Sequence, residues 1–399
     1  MITKTRPALS LSLCAAALAV AASAPAMAQN TFGGQPVDLP PAVEVAKPKK
    51  TDTLTVHKNG PSGTYRSLTA AVADASDGDV IKVVSEVYDE PGLQLTKSLT
   101  IMSDAQGDRR PIIRVSNNSP CLSQSGQNVR TVVSNMVFVA GGGQSCIVVN
   151  SGDFAMRHSA VYDREHIPRQ LSYLPSGGNS ERYLSGGSQR PAATNASLRP
   201  NHLVTINGGH VDLFDNDVFG GTQAAIAVSR QANNMGMGPS GVQLTKNTIR
   251  HSDLHGVLVD GFVEVSLVGN NIALNGSNKI AEHQRPRSSD TDNRPDNVKA
   301  NGGYGVYSVG YGSLDMNTNI ISGNANGVYL GDDNSHVSMQ GNRVVDNHAN
   351  GAMIWTDLVS QGDNTVTTSR RNQCAIVDHT NGSVFSDREN RRNGKVCRN

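Results

Sequence analysis

The sequence predicts an all-β fold, a parallel solenoid of short strands. Three observations carry that reading: a recurring unit of 22 to 24 residues, two cysteine pairs each spaced by about one such unit, and a turn-rich composition. Forty glycines, 4% aromatic residues and 17% charge in 399 residues describe many short strands and turns rather than a helical bundle.

The recurring unit is an Asn followed two residues later by Ile or Val, then a polar turn, then a Gly-Val-type strand. Its clearest copies pair His255-Gly-Val-Leu-Val with Gly-Asn270-Asn-Ile, Tyr304-Gly-Val-Tyr with Asn-Thr318-Asn-Ile, Asn326-Gly-Val-Tyr-Leu with Gly-Asn342-Arg-Val, and Asn350-Gly-Ala-Met-Ile with Asp-Asn364-Thr-Val. Extended backward, the register places Asn135, Ser159, Asn216 and Asn247 at the same position, and the steps along the eight residues are 24, 57, 31, 23, 48, 24 and 22. The short steps are one coil of three strands, and the long ones contain insertions. A leucine-rich repeat has a similar period, but its leucine frame is absent and the apolar positions are alternating Val and Ile, which suit a pleated surface with one buried face. The recurring Asn is expected to stack at an inward-facing turn and bond the next coil.

The cysteines fit the same winding. Cys121 and Cys146 are 25 residues apart, and Cys374 and Cys397 are 23 apart. Each pair falls on neighbouring coils, where strands about 4.8 Å apart satisfy disulfide geometry. Two disulfides also suit an oxidising compartment.

The N-terminus has the form of an export signal: Lys4 and Arg6, an apolar run from Leu9 to Ala22, and Ala26-Met27-Ala28 before Gln29. Cys14 follows Leu13, where a lipoprotein signal wants a small residue, so lipidation is not expected. Residues 1–28 are therefore the signal peptide, residues 29–52 a flexible Pro-rich linker, and residues 53–399 the β-helix domain. No other stretch is apolar enough to span a bilayer. Loss of Lys4 and Arg6 lowers the formal net charge from +1 to −1, which gives no argument for nucleic-acid binding.

An end of a solenoid needs covering. In Tyr65 to Ala75, Leu68, Ala71, Val72 and Ala75 fall at helical spacing behind a Ser67 cap, predicting a short helix at the N-terminal end. The run Tyr65 to Val84, with its Leu-x-x-Ala-Val-x-x-Ala-x-x-Gly-Asp-x-Ile-x-Val pattern, followed by Ser98-Leu-Thr-Ile101, resembles the N-terminal cap and first coils of pectin-lyase-like proteins. The resemblance covers roughly residues 53 to 380 and implies a right-handed parallel β-helix with a short N-terminal capping helix. It is specific for fold and weak for function, since that fold hosts lyases, hydrolases, esterases, epimerases and non-catalytic surface proteins.

Within that family the marks of particular activities are missing. Val211 to Gly220 is a faint match to the Asp-Phe-Ile-Phe-Gly stretch of pectin methylesterases, the polygalacturonase set does not occur, and Asp253-Leu-His255-Gly matches two of the four residues of the Asp-Pro-His-Asp of mannuronan epimerases.

The insertions locate the candidate site. Residues 163–200 and 278–303 both enter the turn after the Asn-x-Ile/Val strand, so they rise from one corner, three coils and about 14 Å apart. Between them lies Arg250-His251-Ser-Asp253-Leu-His255, whose His251, Asp253 and His255 are the candidate proton-transfer residues: a base at His251 or His255, oriented by Asp253. Thr222 and Gln223 in the neighbouring turn supply hydrogen bonds. Substrate contacts are expected from Arg164, Arg169 and Tyr173 on one wall and Arg285, Arg287 and Lys299 on the other, joined by His166, Arg182, Tyr183, His283, Asp290 and Asp292. Five Arg against three acids in 163–200 suit a grip on uronate carboxylates. No metal site is assigned to the His-x-Asp-x-His cluster, since one turn does not supply a fixed ligand geometry, and no cofactor is named.

The functional expectation is a secreted or periplasmic carbohydrate-active protein, a lyase or epimerase acting on an acidic polysaccharide. The alternative is a non-catalytic glycan-binding or envelope structural β-helix. Either way the expected partner is a polysaccharide or cell-envelope glycan, with no nucleic acid.

Overall fold

The computed structural model describes residues 52–105, 109–115, 117–167, 199–230, 241–276, 302–356, 359–368, 373–380 and 390–398. The expected signal peptide and nearly all of the linker lie outside these residues.

The chain forms a right-handed parallel β-helix. It passes from strand to strand through three sheets in turn, each of 11 strands among the described residues, and every pairing between neighbours is parallel. One coil is Asp153–Arg157, Ala160–Tyr162 and His202–Ile206 in the first, second and third sheets. The next three are His210–Phe214, Asp217–Phe219 and Ala224–Arg230; then Gly241–Thr245, Thr248–Arg250 and His255–Gly261; then Glu264–Val268, Asn271–Ala273 and Tyr304–Val309.

Alternation of apolar and polar residues fills the interior with columns. In the first sheet Ile81, Ile101, Val133, Met156, Leu213 and Leu244 stand in register, all buried. Stacking equivalent side chains lets a narrow core close-pack with few residue types.

At the corner between the first and second sheets the chain turns in two residues. The first takes a left-handed conformation, as at Asp215 (φ 52°), Lys246 (φ 56°) and Gly269 (φ 62°). The second is a buried Asn. Asn216 N donates to Asn247 Oδ1 at 3.0 Å, Asn247 N to Asn270 Oδ1 at 2.9 Å, and Asn270 N to Asn319 Oδ1 at 2.9 Å. The series continues through Asn342 and Asn364 to Asn390. Each Nδ2 also donates to a carbonyl of an earlier coil, Asn270 to Leu244 O at 2.7 Å. These bonds satisfy corner groups that the strand ladders leave unpaired.

Two members of the expected column are corrected. Asn135 (φ 55°) and Thr318 (φ 53°) hold the left-handed position, and the column passes through the next residues, Met136 and Asn319. The string Asn317-Thr318-Asn319-Ile320-Ile321 reads in two frames, and pairing of Ile272 with Ile321 selects the later one. A second column, which the sequence reading lacks, runs along the corner between the second and third sheets through Ser252, Asn275, Asn324 and Asn347.

Cys121 pairs with Cys146 and Cys374 with Cys397, with Cα separations of 4.6 and 5.7 Å, each joining adjacent coils of the third sheet. A helix, α1 (Leu68–Asp74), packs Leu68, Ala71 and Val72 into the core. Ser67 Oγ accepts from Ala70 N, the buried Glu90 carboxylate accepts from Leu68 N and Thr69 N, and Lys97 Nζ donates to Ala73 O and Ala75 O. A carboxylate at one end and an ammonium at the other complement the helix dipole. At the opposite end Arg391–Asn393 and Lys395–Arg398 form the last coil, pairing with Thr365–Thr368 and Cys374–Asp378.

Replacing Asn270 by Ala strands the Asn247 amide and the Leu244 carbonyl. At about 1–3 kcal/mol for each orphaned group, a loss of about 3 kcal/mol is expected in urea unfolding. Asn207→Ala, which removes an exposed side-chain bond to Asn150, is expected to be nearly neutral.

Candidate active site

The two long insertions leave the second sheet after Ala160–Tyr162 and Asn271–Ala273 and re-enter the third at His202–Ile206 and Tyr304–Val309. Both therefore belong to one corner. Residues 168–198 and 277–301 lie outside the described residues, and with them Arg169, Tyr173, Arg182, Tyr183, His283, Arg285, Arg287, Asp290, Asp292 and Lys299.

Two groups of side chains occupy the space these connections bracket. The first is an ionic knot at the corner. Asp163, with a side chain 0% exposed, accepts from its neighbours' amides, Glu165 N and His166 N, and from Gly221 N on the adjacent coil. His166 Nδ1 meets its Oδ1 at 2.6 Å, and Arg199 Nε and Nη2 meet its Oδ2 at 3.1 and 2.9 Å. Burial alone would raise the Asp163 pKa, but the His166 bond and the Arg199 charge outweigh it and hold the carboxyl below its ordinary value. Arg199 Nη1 then reaches Asp253 at 3.0 and 3.2 Å. Asp253 is thus paired with an arginine rather than aligned on a histidine, and Arg199, 15% exposed, is spent inside the protein.

His251 takes the left-handed corner position (φ 60°), equivalent to Leu274, Gly323 and Asp346 on later coils. Its ring stacks on His166 at 5.6 Å and 13°, and tilts against Phe219 at 5.9 Å. Burial, then the neighbouring His166 and Arg250 charges, push its pKa below the ordinary value, partly offset by Asp163. The imidazole therefore keeps a lone pair at neutral pH.

The second group lies on the outer face of the third sheet. A Cβ on Gly256 would meet Ile272 Cγ2 at 2.6 Å, and one on Gly305 would meet Ile321 Cγ2 at 2.4 Å, so these positions face the core. The preceding His255 and Tyr304 face outward. His202, Ala224 and His255 stand in register across three strands, with the small Ala224 between the two imidazoles. His255 stacks on Tyr307 at 4.7 Å and on Tyr304 at 5.9 Å, and Tyr307 stacks on Tyr329 at 4.6 Å and 12°. Tyr304 N donates to His255 Nδ1 at 3.3 Å, which places the ring proton on Nε2. Burial, with His202 beside it, lowers the His255 pKa to about 4. Burial likewise lowers His202 and raises Tyr304, while burial together with the neighbouring Tyr307 and Asp332 raises Tyr329 to about 12. The rings of this face are thus uncharged at neutral pH, with the carboxylates of Asp260 and Asp332 beside Tyr307 and Tyr329.

Of the other expected contacts, Thr222 Oγ1 donates to Asn201 Oδ1 at 3.1 Å, and the exposed Gln223 passes its backbone carbonyl to His255 N. Arg164 instead reaches Val115 O, two coils toward the N-terminus, and is not brought to His255. Asp163, Arg199, His202, Tyr307 and Tyr329 were not singled out as site residues from the sequence. The signal available for three of them was position: Asp163 opens the first insertion, and Arg199 and His202 bracket its close. Among the described residues no group of three or more potential ligands converges on a metal site.

Fold and site together define a parallel β-helix with a histidine- and tyrosine-lined face beside a charged corner. No family model and no curated protein matches the chain. Among solved structures it is similar to the pectate lyase Pel9A, at 15% identity and a TM-score of 0.45, covering 84% of this chain and 80% of that one. The A-module of the Azotobacter vinelandii mannuronan C-5 epimerase AlgE4 matches at 12% identity and 0.44, covering 82% and 89%. The periplasmic alginate epimerase AlgG matches at 12% and 0.34, covering 84% and 73%. The likeness is one of fold, and no residue role is transferred from it.

The His255 shift has a signed consequence for stability. Its folded pKa lies below the ordinary 6.5, so between pH 6.5 and about 4 the unfolded chain takes up a proton that the folded chain refuses. The stability it contributes is complete above pH 6.5 and is lost as pH falls toward 4. His255→Gln is expected to flatten the fall of Tm across that window, read by scanning calorimetry at a series of pH values.

Proposed function

We propose that this protein acts on an acidic polysaccharide bound across the third sheet between the two long connections, by abstraction of the C5 proton of a uronate. The observation that carries the reading is the presence, four residues apart, of two unlike neutral imidazoles: His251 with an available lone pair at the corner, and His255 with an Nε2 proton on the sheet face. In the proposed chemistry His251 is the base. His255 donates a hydrogen bond to the substrate carboxylate as negative charge spreads onto it in the enolate-like transition state, a role a neutral imidazole can fill.

Asp163 fixes His166, on which His251 stacks, and Arg199 locks Asp163 to Asp253, so the corner is a rigid support for the base. Tyr307 and Tyr329 offer rings to sugar faces over the buried Tyr304. Gln223 bonds sugar hydroxyls, and Arg169, Tyr173, Arg285, Arg287 and Lys299 of the insertions complete the grip on the polymer. Return of a proton to the opposite face gives epimerisation; loss of the C4 oxygen gives β-elimination, which requires a group to protonate the leaving oxygen. Export by the N-terminal signal and an oxidising compartment for the two disulfides accord with an extracellular or envelope polymer as substrate.

The test follows deuterium incorporation at C5 by NMR in D2O, with ultraviolet detection of unsaturated uronate, on polygalacturonate, polymannuronate and polyguluronate. The wild type is expected to exchange C5 protons on one of them. His251→Ala should cut the rate by about 10²–10⁴, the usual contribution of a positioned base, and His255→Ala should lower kcat while the polymer still binds. Exchange at wild-type rate in both variants would move the site elsewhere. Binding without exchange or products on any of the three polymers would replace the reading with glycan binding alone.

A further inference from the structure

We propose that the outer face of the first sheet is a separate carbohydrate site, built for an uncharged, hydroxyl-rich glycan chain. A groove of about 540 Å³ runs along this face across the coils from Arg130 to Asp315. Its central column, in register from strand to strand, is Ala155, Asp212, Gln243, Ser266 and Asp315. Strands about 4.8 Å apart therefore present a carboxylate, an amide, a hydroxyl and a second carboxylate in sequence along the solenoid axis. Asp212 is held by Arg157 at 3.1 Å, so its free lone pairs are pre-aimed, whereas Glu264 and Asp315 form no ion pair with a described residue.

This chemistry selects a class of ligand. A carboxylate accepts from two hydroxyls, an amide both donates and accepts, and a serine does either, which matches the edges of sugar rings. Carboxylates without a cationic partner repel a polyanion, so the groove is unsuited to the acidic polymer of the third sheet. The rim supplies a second, independent mark. Phe262 is 38% and Tyr311 59% exposed, their rings stack at 5.1 Å and 18°, and they stand two residues before Glu264 and Ser313 at the groove's edge. They are two of five large apolar side chains exposed among the described residues, and an exposed aromatic pair beside a polar trough offers a face for pyranose C–H groups.

The experiment is affinity electrophoresis of the full exported chain in native gels containing hydroxyethylcellulose, glycogen or galactomannan, with polygalacturonate gels alongside. Retardation is expected in at least one uncharged gel. Tyr311→Ala and the Gln243→Ala/Asp315→Ala double variant should each weaken it at least tenfold, and His255→Ala should leave it unchanged. All these groove substitutions are at exposed positions, and an unaltered Tm verifies the fold. The proposal is overturned by mobility equal to that in blank gels for all three uncharged polymers, or by retardation that both groove variants retain. Retardation by polygalacturonate that the groove variants abolish overturns it as well. Because the third-sheet reading is tested on polyuronates with His251 and His255, either proposal can fail alone.

Discussion

The structure rests on the amide of a buried asparagine bonding the same residue one coil away. A solenoid corner interrupts the strand ladder, and every interruption leaves peptide groups without partners in a place water does not reach. The columns through Asn216, Asn247 and Asn270 and through Asn275, Asn324 and Asn347 answer this by letting one side chain satisfy a neighbour's amide and an earlier carbonyl together. With both corners locked the three sheets keep their register, and residues dozens of positions apart in the chain can be placed side by side with strand-level accuracy.

The candidate site uses that accuracy where the second column gives way. Ser252 begins it, and the residues on the N-terminal side of that point, Asp163, Gly220 and Gly221, replace the asparagine with an ion-paired carboxylate. Asp163 receives the Gly221 amide that an asparagine oxygen would otherwise accept, and a Cβ on Gly220 would lie 2.3 Å from its Oδ2. The corner thus changes from a neutral ladder to a charged knot within a few coils, beside a sheet face lined with histidine and tyrosine rings. A polar rim against an aromatic floor is a common arrangement in ligand-binding sites.

The fold was legible because it repeats: eight noisy copies of one pattern average out what any single copy leaves ambiguous, and the cysteine spacings supplied an independent measure of the same period. The error at Thr318 came from an asparagine-rich turn that fits two frames, a choice made by the pairing of Ile272 with Ile321, while at Asn135 a lone asparagine takes the left-handed position beside Met136, which local sequence does not reveal. The site was legible in place but not in partnership. His251, Asp253 and His255 looked like one unit because they are close in sequence, yet Asp253 belongs to Arg199, 54 residues earlier, and His255 to Tyr304, 49 residues later. His202 and Ala224 align with His255 only through the stacking of strands, and Tyr307 and Tyr329 form their stack the same way.

The last coil bears on how separate molecules behave toward one another. Any stack of parallel strands ends in an unpaired edge, a ready template on which a second copy could continue the winding into a fibre. Here the strands Arg391–Asn393 and Lys395–Arg398 carry Arg391, Arg392, Lys395 and Arg398, charged side chains of the kind that blunts an edge against the addition of a strand. An edge carrying such side chains is a poorer template for a further strand than a plain apolar one.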